Sequence, residues 1–194
     1  MNHTNIEWPK NPDGTPGYIR ISPEYIAGFF DGEGSAMILT IRRQLKTGTI
    51  YRFRPVIKIH QKTPRVLEAI KRFIGYGHID QSRDGFAYIV NGLEGVLHFF
   101  REVSYYSIVK HDALACVGSL AYFQSRHKKR NMPYTKNNTV IMLDVRDRLF
   151  EANKITRNGL TQKYSRDKIL SETTFIEDIE AWKLWRMRGL HAQK

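Results

Sequence analysis

Ser22-Pro23-Glu24-Tyr25-Ile26-Ala27-Gly28-Phe29-Phe30-Asp31-Gly32-Glu33-Gly34-Ser35 begins as a good helix and ends as a poor one. Ser22 supplies an N-cap oxygen, and Pro23 suits the first helical position, where an amide proton has no intrahelical partner. Gly28 and Gly32 then sit four apart on one face, each costing roughly 1 kcal/mol against alanine in a helix interior. Small residues at that spacing let another helix approach backbone to backbone. Asp31 and Glu33 fall at the C-terminal end, where the helix dipole disfavours negative charge. A cation would offset that. Carboxylates beside a backbone carbonyl suit a hard divalent metal such as Mg2+, which needs few protein ligands and keeps several waters. The plain alternative is a helix ending in Gly-Glu-Gly with both acids in water.

Downstream, Ser35 to Arg43 is rich in β-formers, and a turn over 45–49 leads into Ile50 to Gln61. This second run alternates: Tyr51, Phe53, Ile57 and Ile59 on one face, Arg52, Arg54, Lys58 and His60 on the other, the signature of a half-buried strand. Arg52, Arg54 and Lys58 in a row repel one another unless an anion lies across them. Thr40 and Arg42 of the first strand are expected on the same face, and a two-stranded ribbon is thin enough to enter a major groove. Thr63 and Pro64 are expected to open a helix with Val66, Leu67, Ile70, Phe73 and Ile74 as its apolar side. Gly75-Tyr76-Gly77 ends it. His78 to Ser82 and Phe86 to Asn91 form a second hairpin around Arg83-Asp84-Gly85. Helices follow over 93–103 and from about Lys110. The order is αββαββα with a helical extension: an α+β fold, with a saddle-shaped antiparallel sheet covered by helices on one side and bare on its basic side.

The ends differ in texture. Residues 1–21 read as an irregular arm rich in turn signals, 22–125 as the core domain, and 126–194 as a basic helical extension packed on it. In the extension, Arg126-His127-Lys128-Lys129-Arg130 reads as a solvated loop or as phosphate contacts. Thr139 to Asn153 reads as a helix and 154–170 as a polar loop. Thr174-Phe175-Ile176-Glu177 reads as the capping box of a last helix. The 194-residue chain carries a formal charge of +12, with most of the excess in the extension, which points to a polyanionic partner such as nucleic acid. No apolar run suits a membrane span and no secretory signal is evident, so an intracellular, non-secreted protein is expected, with no membrane partner. A single cysteine, Cys116, excludes a disulfide framework and reads as a small core residue.

Ile26 to Gly34 resembles, position by position, the LAGLIDADG motif of homing endonucleases, with glutamate for aspartate at the eighth position. The junction Ile59-His60-Gln61-Lys62-Thr63-Pro64-Arg65, the second hairpin and Lys110 are similar to the small single-motif members of that family. The resemblance spans roughly residues 22–125. It implies Glu33 and the Gly32 carbonyl as metal ligands, Gln61 holding a water or hydroxide, and Arg65 and Lys110 stabilising phosphate charge. The cofactor would be Mg2+, with Mn2+ or Ca2+ able to substitute for binding. Lys110 as an ordinary surface lysine is the alternative.

One motif per chain implies a homodimer packed through Ala27, Gly28, Asp31 and Gly32. The target would be a long, near-palindromic double-stranded DNA cut in both strands. DNA contacts are expected from Thr40, Arg42, Arg52, Arg54, Lys58, Ser82, Arg83, Ile89, Lys128, Lys129 and Arg130. An intron-encoded protein in a prokaryotic cytoplasm or an organelle is implied. The alternatives are an RNA-binding intron splicing maturase, with intron RNA as partner, or a non-catalytic DNA-binding protein on the same fold.

Overall fold

Helix α1 spans Pro23–Glu33, and Ser22 caps it by accepting the Tyr25 amide at 3.3 Å. Gly34 ends it in extended backbone, where a side chain would run into the ring and carbonyl of Phe30. The computed structural model describes residues 21–45, 48–127, 134–154 and 162–175. The N-terminal arm, Lys128, Lys129, Arg130 and the last expected helix lie outside the described residues. After α1 come β1 (Gly34–Leu45), β2 (Gly48–Gln61), α2 (Arg65–Ile74), β3 (His78–Ser82), β4 (Gly85–Val90), α3 (Leu93–Val103), α4 (His111–His127), α5 (Lys136–Lys154) and α6 (Arg166–Glu172).

The strands form one antiparallel sheet in the order β1-β2-β4-β3. Alternation decides what each face buries. Ala36, Ile57, Ile59, Tyr88 and Val90 join Ile26, Phe30, Leu67, Ile70, Phe99 and Leu114 in the main core. The opposite face carries Arg54, Lys58 and His60 from β2. By register it also carries Ser35, Met37, Leu39, Ile41 and Arg43 from β1. The expected architecture is therefore the observed one, with the basic face bare.

The sheet is not uniformly deep. β1 and β2 pair from Gly34↔Ile59 out to Leu45↔Gly48, whereas β4 joins β2 only over Ile57–Gln61. The β1–β2 ribbon thus overhangs the rest of the sheet, and a lone two-stranded hairpin is marginally stable in water. The C-terminal elements back it. Tyr51 and Phe53 pack with Leu120, Met142, Leu143 and Ile169 in a second core. The Tyr51 hydroxyl and Arg42 Nε both donate to Glu172, the latter at 3.1 Å. At the strand edge left free by β4, Gln124 Nε2 donates to the Phe53 carbonyl at 2.7 Å and the Thr174 amide to Thr49 at 2.9 Å. Pro55, which lacks an amide proton, falls in this unpartnered stretch, where a proline is tolerated.

Several expectations are corrected. Thr40 lies opposite Phe53 and Arg42 opposite Tyr51, so both belong to the helix-covered face, not to that of Arg52 and Arg54. The cause is the turn: Leu45 pairs with Gly48, a tighter connection than the expected one, and a one-residue change of register flips every side chain. Helix α2 begins at Arg65 with Pro64 in the cap position and no side-chain cap from Thr63. The stretch 154–170, expected as loop, holds the start of α6, capped by Ser165 through the Lys168 amide at 3.2 Å and anchored by buried Ile169. Cys116 is only partly buried. Among the described residues no helix is long and apolar enough to cross a membrane.

Gln124→Leu keeps the bulk of a buried side chain but leaves the Phe53 carbonyl without its donor. A loss of about 1–3 kcal/mol is expected in urea unfolding.

Candidate active site

The C-terminal end of α1 meets the segment that leads into α4, and the two are joined in both directions. The Asp31 carboxylate accepts from Ser107 Oγ (2.6 Å) and from the backbone amides of Ile108 (2.7 Å), Val109 (3.1 Å) and Lys110 (3.1 Å). It thereby ties the segment that leads into α4 to the end of α1, satisfying three backbone amides ahead of the helix. Lys110 answers with its ammonium, which donates to the carbonyls of Phe30 (3.1 Å) and Gly32 (3.4 Å) at the negative end of the α1 dipole. Asp31 is therefore an acid made stable at a helix C-terminus by the segment that leads into a second helix. Partial burial alone would raise its pKa. The Ser107 hydroxyl and the three amides outweigh that and hold it below the usual value.

Glu33 is exposed at the end of α1, next to the Gly32 carbonyl and the Lys110 ammonium that reaches it. Register pairs Gly34 with Ile59, so Gln61, at the end of β2, lies at the same end of the sheet as Glu33. Gln61 Oε1 accepts the Lys62 amide at 2.8 Å, and Arg65 opens α2 just beyond. Glu33, Gln61, Arg65 and Lys110 thus come from four different segments, with Lys110 tied directly to the motif helix.

A divalent metal is implied here, and the donors suit it in kind: an exposed carboxylate and an exposed-residue carbonyl, both hard oxygens. Among the described residues no group of three or more His, Cys, Asp or Glu side chains gathers to hold a metal. One chain therefore offers Mg2+ few ligands and leaves room for water, for substrate oxygens and for donors from elsewhere.

The expected interface residues divide. Gly28 and Gly32 are exposed, and nothing lies within 4 Å of a side-chain carbon built on either. Ala27 is fully buried in the chain's own core, and the Asp31 carboxylate is spent within its own chain, so neither matches its expected place on the open face. Among expected DNA contacts, Arg54, Ser82 and Arg83 are exposed, while Lys58, paired with Ile89, is half-buried on the bare face. Arg43, not foreseen, belongs to this face. Its parity with Leu39 and Ile41 was the available signal. The Asp31–Ser107 junction was not foreseen either, and nothing local in the sequence announces a cap supplied from so far along the chain.

Residues 26–112 match the family described as LAGLIDADG endonuclease. The match takes in the motif helix, the sheet and the start of α4, somewhat under half of the chain. A comparison with curated proteins returned no match. Among solved structures the chain is similar to the homing endonuclease I-CvuI in complex with its target in the presence of calcium, at 16% identity and a TM-score of 0.62, over 78% of this chain and 96% of that one. It is also similar to the archaeal intron-encoded homing endonuclease I-Vdi141I complexed with DNA, at 22% identity and a TM-score of 0.62, over 84% and 96%. The LAGLIDADG homing endonuclease I-GzeII in complex with its DNA target aligns at 18% identity and a TM-score of 0.57, over 84% of this chain but only 57% of that one. These likenesses are of fold. The chain spans nearly the whole length of the first two structures and little more than half of the third.

Asp31→Asn should lower stability on the order of 2 kcal/mol at neutral pH, because an amide cannot accept from all four donors. Since the folded-state pKa is depressed, the carboxylate's contribution is complete above the unfolded value, and it is lost as pH falls through the folded one. The gap between wild type and variant in denaturant midpoint should therefore close only below pH 4 or so.

Proposed function

We propose that the protein is a site-specific DNA endonuclease that cuts both strands of a long, near-palindromic target as a homodimer with a divalent metal. The observation that carries this reading is the Lys110 ammonium held against the Gly32 carbonyl beside exposed Glu33, at the rim of a bare basic sheet face. The division into an N-terminal arm (1–21), a core (22–125) and a C-terminal extension (126–194) is part of the same proposal. So is an intracellular location, in a prokaryote or an organelle.

Glu33 and the Gly32 carbonyl would hold the metal, taken as Mg2+ with Mn2+ or Ca2+ able to replace it in binding. When bound, it supplies Lewis-acid stabilisation of the phosphoryl oxygens and a more acidic water. The chain's own groups do the rest. Gln61 orients a water toward the scissile phosphorus. Lys110 and Arg65 place positive charge where the phosphate gains negative charge as the P–O bond breaks. Arg54, Lys58 and Arg43 would lie against DNA on the bare face, with Ser82, Arg83 and Ile89 at its other end. Lys128, Lys129 and Arg130 would add phosphate contacts. Arg42 and Thr40 drop out of this set because their register turns them away from it.

The homodimer rests on two facts. The glycine face of α1 is open to close approach, and I-GzeII, which aligns with 84% of this chain, is matched over only 57% of its own length. A second copy would bring a second Glu33, completing a donor set that one chain leaves short, and two-fold symmetry makes the target near-palindromic.

Glu33→Gln should reduce cleavage by at least about 100-fold while leaving target affinity in a gel-shift assay in Ca2+ within a few-fold. Undiminished cleavage would remove Glu33 from the metal site. Gly28→Leu fills open space in a single chain and should fold, yet sediment as a monomer. A surviving dimer would put the interface elsewhere.

A further inference from the structure

A cavity of about 400 Å³ opens at the edge of β2 where β4 has already ended. Arg43, Arg52 and Arg54 line it together with Asn91, Gly92 and Tyr134, and among the described residues no acidic side chain does. The surrounding ion pairs do not reach it: among the described residues, the acids that form bridges pair with Arg42, His78, Arg146, Lys154, Arg166 and Lys168. Arg52 Nε is buried and has no hydrogen-bond partner among the described residues. A buried donor left without an acceptor costs about 1–3 kcal/mol, and more for a charged group, so a protein seldom keeps one without use. Gly92, the N-cap of α3, offers no side-chain cap to that helix, so the amides of its first turn also want acceptors.

We infer that this cavity is a phosphate-binding pocket. Three guanidiniums that otherwise repel, one of them with an unused buried N–H, converge beside an uncapped helix start. A tetrahedral oxyanion satisfies all three conditions at once, and the planar fork of arginine fits phosphate in a way that a lysine ammonium does not. By register, Arg43, Arg52 and Arg54 belong to the bare sheet face. The phosphate therefore comes from the backbone of the nucleic acid lying there, a step that rests on the proposed DNA binding. Free inorganic phosphate has the same chemistry and is the other source. Because backbone contacts carry no sequence information, the pocket would fix the register and grip of the ribbon and not its choice of bases.

The test uses the full chain with Arg52→Gln, Arg54→Gln and, as a control on the exposed side of α3, Arg101→Gln. The first arm measures the dependence of the DNA-binding constant on salt, for the target and for an unrelated duplex. Each pocket variant should reduce the slope of log K against log salt by about 0.9, equally on both duplexes, with no change in the control. The second arm compares thermal unfolding in inorganic phosphate and in chloride at equal ionic strength. A phosphate-induced rise seen in wild type and lost in the pocket variants supports the pocket by itself.

A slope change without the thermal effect supports the pocket and assigns the ligand to the DNA backbone. The thermal effect without a slope change supports the pocket and overturns the DNA source. No difference from Arg101→Gln in either arm overturns the pocket. Failure of the wild type to bind any duplex would sink the proposed function, and the phosphate arm would then decide the pocket alone. Arg54 is exposed, so its variant decides the matter if Arg52→Gln fails to fold.

Discussion

Asp31 and Lys110 exchange partners across the junction of two helices, and the placing of Lys110 beside Glu33 at the candidate site follows from that exchange. A carboxylate at the end of α1 is electrostatically misplaced, and the backbone amides of 108–110, ahead of α4, need an acceptor. Each anomaly cancels the other. The carboxylate draws the 107–110 segment onto α1. The lysine that ends this segment then lies within reach of the Phe30 and Gly32 carbonyls, with Glu33 the next residue. Glu33 is left exposed because its neighbour has taken the structural work. Two acids two positions apart therefore divide into a partly buried, hydrogen-bonded one and a solvent-facing one.

The C-terminal elements solve a separate problem. A ribbon that outruns its own sheet has an open edge and one face to cover. Helices α4, α5 and α6 supply that cover through Leu120, Met142, Leu143 and Ile169. The buried Arg146 guanidinium ties this layer together, donating to the Tyr164 carbonyl and to Asp147, which in turn is bridged by Arg166. Burial alone would raise the Asp147 pKa, and these cations bring it below its usual value instead. The extension that looked in sequence like a basic appendage is, in its described part, a brace whose charged residues largely pair with one another.

Local chemistry made much of this legible. The Ser22 cap, the proline after it, the Gly75 stop and the alternation along β2 each depend on residues within a few positions of one another, and each appears where expected. The phase of β1 did not follow from such signals. Period-two alternation says which residues share a face within a strand but not which face, and the turn that links the phases of β1 and β2 was read as longer than it is. Thr40 and Arg42 were therefore assigned to the wrong side. Ala27 was grouped with the glycines because it is small, yet a helix position one residue from Gly28 points about 100° away, into the core. The Asp31 cap and the hidden pocket at the β2 edge join residues far apart in the chain, and no short window contains them.

The overhang of the ribbon has a metrical side. A strand advances about 3.3 Å per residue, and one strand of duplex DNA advances about 3.4 Å per nucleotide. Bare-face residues of β1, from Ser35 through Met37, Leu39 and Ile41 to Arg43, are spaced every second residue. Laid along a duplex they would fall at about every second base pair and keep step over their whole length. In a DNA endonuclease of the kind proposed, the distance by which β1 and β2 outrun β4 would act as a ruler: lengthening or shortening that hairpin would change how far from the cut the target is measured.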